Sequence, residues 1–457
     1  MKKIIFSLVV SFIILSDSTA EDVIKALPGS LPIPPVISSR QIELEMREGR
    51  LELPFGTSET LGFNGDYLGP TIRIQKGDKA DITVVNNLNE PTTVHWHGLH
   101  VPAEYDGGPH QIIKVGETWS PEITIRQNAA TLWYHPHLMG KTAEHVYRGL
   151  AGMFIIDDEY SDSLDIPRDY GVNDIPLILQ DRDIDDNGSF SYKPTRPDIM
   201  HGYIGNATLI NGAYEPVLNL NRGSYRFRIL NGSNSSIYRI SFSDTHSFTV
   251  IASDGGFLPE TVITDRLIIS PGERYEILTD FSVETEIKVI LEIYGSQPHE
   301  AMSISVSNDE GVFFPHPKRL VYNHPDYESG ELKQRTFNME TRGMGLFTIN
   351  GRQMDMDVMN FSLKQDSEEI WTVKNIGMGM MNIPHSFHVH DTQFTVLSFN
   401  GAPPPPLYRG PKDTILLMAG DEAVIGVSFR DYTGMYMYHC HLLEHEDAGM
   451  MGQFMIE

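Results

Sequence analysis

Residues 64–86 read Asn64-Gly-Asp-Tyr-Leu-Gly-Pro-Thr-Ile-Arg-Ile-Gln-Lys-Gly-Asp-Lys-Ala-Asp-Ile-Thr-Val-Val-Asn86. Apolar and polar residues alternate over Thr71–Ile74 and again over Ile82–Val85, with a polar turn at Lys76-Gly77-Asp78 between them. Period-2 alternation on both sides of such a turn predicts a β-hairpin. The pattern occurs twice more. Asn211-Gly212 precedes Val217–Leu220, a turn at Arg222-Gly223, and Tyr225–Leu230 ending at Asn231. Asn350-Gly351 precedes Val358–Leu363, a turn near Asp366, and Ile370–Val373 ending at Asn375. The Asn-Gly pairs are 147 and 139 residues apart, the spacing of one β-sandwich domain. Three such echoes predict an all-β chain built from a triplicated domain, with units at 21–160, 170–312 and 330–457.

Outward from these repeats, the chain begins with Met1-Lys2-Lys3, the apolar run Ile4–Leu15 and then Ser18-Thr19-Ala20. A basic start, a short apolar stretch and small residues predict a secretory signal over 1–20, cleaved after Ala20. The run is too short for a membrane span, which needs about 20 apolar residues, and no later stretch is apolar enough. The paired Lys2-Lys3 carries no twin-arginine mark. An exported protein, periplasmic or secreted from a bacterial cell, is expected. Its formal charge of −26 repels phosphate backbones and argues against nucleic acid as a partner. Export permits disulfides, yet there is one cysteine, Cys440. Stability must come from burial, and the thiol needs an occupant.

The eighteen histidines are unevenly placed. Four His-X-His pairs stand out: His95-Trp-His97, His135-Pro-His137, His388-Val-His390 and His439-Cys-His441. On a strand, residues i and i+2 point to one face, so each pair aims two imidazoles together. Imidazole is neutral near pH 7 and suits copper, zinc, iron or nickel. Two pairs come from the first unit and two from the third, which predicts a multi-metal cluster between those units. Metal there would clamp the two ends of the chain. The sulfur of Cys440 points the opposite way from His439 and His441, toward His385, His445 and Met450. Thiolate, two imidazoles and a distant thioether are the ligand set of a blue-copper electron-transfer site. The other eight histidines, His110 and His316 among them, read as surface or packing residues.

The segments His95-Trp-His-Gly98, Trp133-Tyr-His-Pro-His137, His385-Ser-Phe-His-Val-His390 and His439-Cys-His-Leu-Leu-Glu-His445 with Met450 resemble the four copper motifs of multicopper oxidases. They look in particular like those of bacterial cuprous oxidases and laccases. Gly149–Asp157 and Ala252–Pro259 extend the resemblance over the whole mature chain. It implies three cupredoxin-like Greek-key β-sandwich or barrel domains and four copper ions. His385, Cys440 and His445 would hold type 1 copper, with Met450 axial. His95 and His388 would hold type 2 copper. The type 3 pair would take His97, His135, His137, His390, His439 and His441. Asp106 and Glu446 would feed the four protons that two waters require. The implied acceptor is dioxygen. The implied reductant is a phenol, an aromatic amine, Cu(I) or another metal ion.

The chain departs from the family pattern in places. Ser386 stands where proline usually follows the first histidine of the third motif. Asp391 replaces the usual glycine and is expected to place a charge near the cluster and to alter the redox potential. Fourteen of the twenty methionines lie at or after Met339. Met378, Met380 and Met381 sit in a glycine-containing loop and suit Cu(I), while Met354, Met356 and Met359 alternate like a strand. The long methionine-rich insertion of copper-tolerance members is missing, as is the aspartate shortly before the third motif. The type 1 site is therefore expected to be open and to favour phenols or aromatic amines. The rival readings are a copper-carrying electron-transfer, copper-tolerance or binding protein without oxidase turnover, and a copper nitrite reductase. None of these calls for eight paired histidines.

Overall fold

The first and third repeated stretches are crossings between sheets, and the second is a single strand. The structure, a computed structural model, describes residues 29–243, 245–320, 327, 332–343, 345–377 and 382–457. The signal expected over 1–20, and Met378, Met380 and Met381, lie outside them. In the first repeat, Thr71–Gln75 joins a sheet with Val36–Ile37, Gly152–Asp157, Ala130–His135 and His95–His97. Lys79–Asn86, a turn later, joins another with Gly56–Phe63, Gln41–Leu53, Thr118–Trp119 and Glu122–Thr124. In the third repeat, Phe361–Leu363 lies with Met451–Ile456, Gly434–Cys440, His385–Val389 and Thr414–Leu417. Ser367–Asn375 lies with Lys333–Arg342, Leu346–Ile349, Glu422–Phe429 and Thr395–Phe399. In the second repeat no reversal occurs at Arg222-Gly223. Val217–Asn231 is one 15-residue strand. Its start pairs with His299–Glu310 and its end with Asp174–Arg182 and Arg274–Phe281, across a register shift between Leu220 and Arg222.

The expected hairpins are thus corrected. In the first and third repeats both strands bury apolar faces against one core from opposite sides, so the turn carries the chain around the sandwich edge. The asparagines explain why the motif recurs. Asn64, Asn211 and Asn350 all take positive φ, at 55°, 52° and 53°, which asparagine tolerates. Each side chain then bridges a carbonyl and an N–H two residues apart on a neighbouring strand. Asn64 spans Glu43 O and Glu45 N, Asn211 spans Pro176 O and Ile178 N, and Asn350 spans Thr336 O and Asn338 N. The terminal asparagines Asn86, Asn231 and Asn375 each donate to two backbone carbonyls and accept an N–H two residues on.

Three large apolar cores follow, one containing Ile42, Phe63, Val84 and Phe154, one Ile175, Phe227, Tyr275 and Ile304, and one Phe337, Trp371, Phe387 and Phe454. The chain is all-β apart from short helices, of which Thr142–Arg148, Arg196–His201 and Leu443–Asp447 matter below. The first and last of these join the two ends of the molecule. Asp447 accepts the N–H groups of Thr142 and Ala143 at 3.1 and 2.9 Å. No helix among the described residues is long and apolar enough to cross a membrane.

Candidate metal centres

Strand pairing brings the histidine pairs together. His95 faces His135 across one ladder and His388 faces His439 across another. The two sheets meet so that His95 stacks on His390 and His97 on His388, with ring centroids 3.9 and 3.8 Å apart. His439 Nε2 lies 3.2 Å from the Nε2 atoms of both His137 and His390, and the His441 ring lies 4.9 Å from that of His97. All eight imidazoles are buried. On the other face of the Gly434–Cys440 strand, Cys440 Sγ is 3.6 Å from Nδ1 of His385 and of His445, and those two nitrogens are 3.2 Å apart. Met450 is fully buried beside them, its carbonyl accepting the Cys440 N–H and its N–H reaching His445 O. Every residue singled out for the two sites falls in one of these clusters or, as Asp106 and Glu446 do, against its outer edge.

The outer ring nitrogens fix the tautomers. Nδ1 of His95 donates to Asp106 O, that of His388 to Asp413 O and that of His135 to Pro136 O, each at 2.8 Å. This leaves the Nε2 lone pairs of these rings facing inward. His390 Nδ1 meets Asp106 Oδ2 at 2.7 Å. His137 and His439 present Nδ1 to Glu446 at 3.3 and 3.2 Å. His97 is reversed: its Nε2 meets Asp413 Oδ1 at 3.0 Å and its Nδ1 faces the cluster. The inward nitrogens of His95, His97, His135 and His388, and both of His441, have no hydrogen-bond partner among the described residues. Buried and unpartnered ring nitrogens gathered in one place fit metal ions and little else. Burial holds nine of the ten site histidines below the usual imidazole range, His441 and His445 at about 3. They are therefore neutral, as ligation requires.

The second unit closes the cluster, which the sequence reading missed. Arg274 holds both oxygens of Asp413 at 2.6 Å, and Lys412 meets Asp254 and Glu273 at 3.0 and 2.9 Å. Gly272, at φ 84°, lies so close to His441 that a Cβ would come within 2.9 Å of its ring. The available signal was Asp254, inside a stretch already matched to the family, and the charged Lys412-Asp413 pair opening a buried strand. Ser386 also faces this unit, its hydroxyl 2.9 Å from that of Ser270.

Three expectations are corrected. Asp391 has φ 63°, which explains the family's glycine. Burial pushes its carboxyl well above the usual range, favouring a neutral acid over the expected charge. Met354, Met356 and Met359 form no strand. They are half-buried on an irregular segment whose Met354 N–H donates to Gly449 O, next to Met450. Lastly, the centre at Cys440 is covered: His445 is fully buried and its Nε2 donates to Met200 O at 3.2 Å. Two unassigned histidines have the ordinary roles expected of them, His110 bonding Gln453 and His316 bonding Thr249.

Three sequence profiles described as multicopper oxidase match residues 45–161, 182–287 and 323–457. A multicopper oxidase of Staphylococcus aureus is 39% identical over 415 residues, spanning 90% of this chain and 88% of that protein. The chain belongs to the multicopper oxidase family. Among solved multicopper oxidases, a bacterial laccase-like one from Ochrobactrum sp. superimposes with a TM-score of 0.87 at 37% identity, covering 93% of this chain and all of that one. A laccase from Pediococcus acidilactici gives 0.85 at 34% identity, covering 94% and 93%. The three units are cupredoxin-fold domains, and the chain is a laccase-like multicopper oxidase with copper as its metal. A cell division protein, FtsP of Escherichia coli, is 35% identical over 454 residues, spanning 93% of this chain and 92% of that protein.

Proposed function

We propose that this multicopper oxidase takes one electron from each of four reductant molecules and passes them, with four protons, to one dioxygen, forming two waters. The observation that carries the reading is the convergence of eight buried imidazoles from both ends of the chain, one peptide bond away from a thiol flanked by two more. In this reading His385, Cys440 and His445 hold one copper with Met450 axial, His95 and His388 a second, and His97, His135, His137, His390, His439 and His441 a pair. Bound there, copper supplies reversible one-electron chemistry that side chains lack. Cys440 is joined through single peptide bonds to His439 and His441, the shortest covalent route between the two clusters.

Asp106 touches the outer edges of His95 and His390, and Glu446 those of His137 and His439. Burial pushes the Asp106 carboxyl up more than His95 pulls it down, which favours holding a proton. At Glu446 burial also pushes up, but His137 and His439 outweigh it and keep the carboxylate well below its usual range. Two carboxyls driven apart in this way divide acid and base roles, and both deliver protons without opening the site to bulk water.

The reductant in this reading is a phenol, an aromatic amine, Cu(I) or another metal ion. The thioethers of Met354, Met356 and Met359 beside the Met450 segment support Cu(I). The unit boundaries at 21–160, 170–312 and 330–457, and export directed by residues 1–20, belong to the same reading. Metal analysis should find about four coppers per chain, and two or fewer would refute the assignment. Cys440→Ser should lose the intense blue absorption of a copper–thiolate site while the protein stays folded. Oxygen uptake with Cu(I), Fe(II), Mn(II) and a phenol ranks the reductants. A second reading, a binding or structural role without turnover, is favoured by the similarity to the cell division protein. The retention here of all twelve proposed ligands weighs against it. No oxygen uptake with any reductant, in protein holding its copper, would establish it.

A further inference from the structure

The segment joining strands Asp174–Arg182 and Ala207–Ile210 leaves the second unit and crosses onto the third. Its middle is the helix Arg196–His201, started by a reciprocal cap between Thr195 and Asp198 and ended at Gly202 with φ 89°. Ile199 and Met200 pack against the third unit's core, and the Met200 carbonyl takes the outer N–H of His445. Both ends of the segment are tied to one carboxylate, that of Glu444, the residue before His445. Tyr192 OH donates to it at 3.1 Å and the Tyr203 N–H at 3.3 Å, with Asn234 and Ser235 completing its partners. At the far end Gly202 lies so near Ser235 that a Cβ would come within 2.3 Å of it. On the ring face of His445, Phe347 stacks at 4.1 Å. Neither the edge nor that face of this imidazole is open to a second ring.

We propose that residues 192–203 form a strap that selects the reductant. It keeps aromatic rings off His445, and it leaves transfer through the Met200 backbone to donors that need no ring contact, such as metal ions. This rests on the proposed function, in which His445 holds the copper beside Cys440. The step itself is a single electron leaving the donor, with no bond made or broken, and dioxygen is the final oxidant. A phenol reaches the same edge when the latch on Glu444 releases, which is how lids gate other active sites.

The test compares the copper-loaded protein with the double variant Tyr192→Phe and Ile199→Ser, which removes one latch and one apolar anchor. Losing a hydrogen bond to a carboxylate shifts an opening equilibrium by about tenfold or more. Accordingly kcat/KM for 2,6-dimethoxyphenol should rise about tenfold relative to that for Fe(II), with copper content and blue absorbance unchanged. An unchanged phenol-to-Fe(II) ratio in a variant that keeps its copper and colour would overturn the strap. If the double variant cannot hold copper, Tyr192→Phe alone, which deletes one hydroxyl, gives the same readout. A parent protein with neither colour nor four coppers would instead sink the functional assignment, so the two failures are distinguishable.

Discussion

Asp413 shows how much one side chain decides. Its backbone carbonyl fixes the tautomer of His388, and one carboxylate oxygen turns His97 so that Nδ1 faces inward. Both oxygens are held in turn by Arg274 of the second unit. The group is fully buried, so Asp413→Asn leaves the Arg274 charge short of its partner, and breaking a buried pair costs about 3–5 kcal/mol. The expected outcome is a lower denaturation midpoint together with less than the full complement of copper. Full copper and an unchanged midpoint would show that His97 needs no such support. The charged Lys412-Asp413 pair was visible in the sequence but its partners were not, because Asp413 has no spacing relation to any histidine and meets Arg274 only through the fold. The clustered side chains themselves were legible. Their i, i+2 spacing is a strand property: His95–His97 lies within a strand, and each of the other three pairs begins in a strand and ends just beyond it.

At the scale of elements, the period-2 alternation correctly located Thr71–Gln75, Lys79–Asn86 and Ser367–Asn375, but it misread how they pair. Alternation reports that one face is buried and is silent on which strand lies alongside. The asparagines closing each repeat carry the missing information. Asn86, Asn231 and Asn375 are buried, and each satisfies two backbone carbonyls where the chain leaves a strand. Replacing any one by alanine strands these carbonyls at about 1–3 kcal/mol apiece. Asn86→Ala, Asn231→Ala and Asn375→Ala should therefore destabilise by similar amounts, measured by chemical denaturation. A change costing nothing in one unit and much in another would break the equivalence of the three. Met354 to Met359 failed as a strand because its backbone is engaged elsewhere, Gln453 Nε2 donating to the carbonyls of Met356 and Val358.

For the whole molecule, the clusters sit where the first and third units meet, with the second bracing them. Nine buried histidines have folded-state pKa values below 6.5, the largest cause in each being desolvation. A depressed folded pKa contributes stability that is present above the unfolded value and lost as pH falls. Below about 6.5 the unfolded chain takes up protons that the folded one refuses, each site contributing at most about 1.4 kcal/mol per pH unit. For His441 and His445 this continues down to about 3. Copper-free protein should therefore melt at a clearly lower temperature at pH 5 than at pH 7. The copper-loaded form should melt higher than the copper-free form at both, since the metal binds only the folded state. Equal melting temperatures for copper-free protein at the two pH values would contradict the burial described.

By itself the sequence determined the strand class, the triplication, the family and which histidines, with Cys440, gather into the two clusters. All of these are written in local spacing, and a strand turns spacing directly into direction. Only the tertiary structure decided which way each ring is turned, that the second unit supplies the braces, that Asp391 is buried at a positive φ, and that a strap covers His445. Those depend on contacts between residues far apart in the chain, such as His97 with Asp413 and Met200 with His445. No periodicity records such contacts, because they arise only when packed sheets bring distant backbones within hydrogen-bond reach.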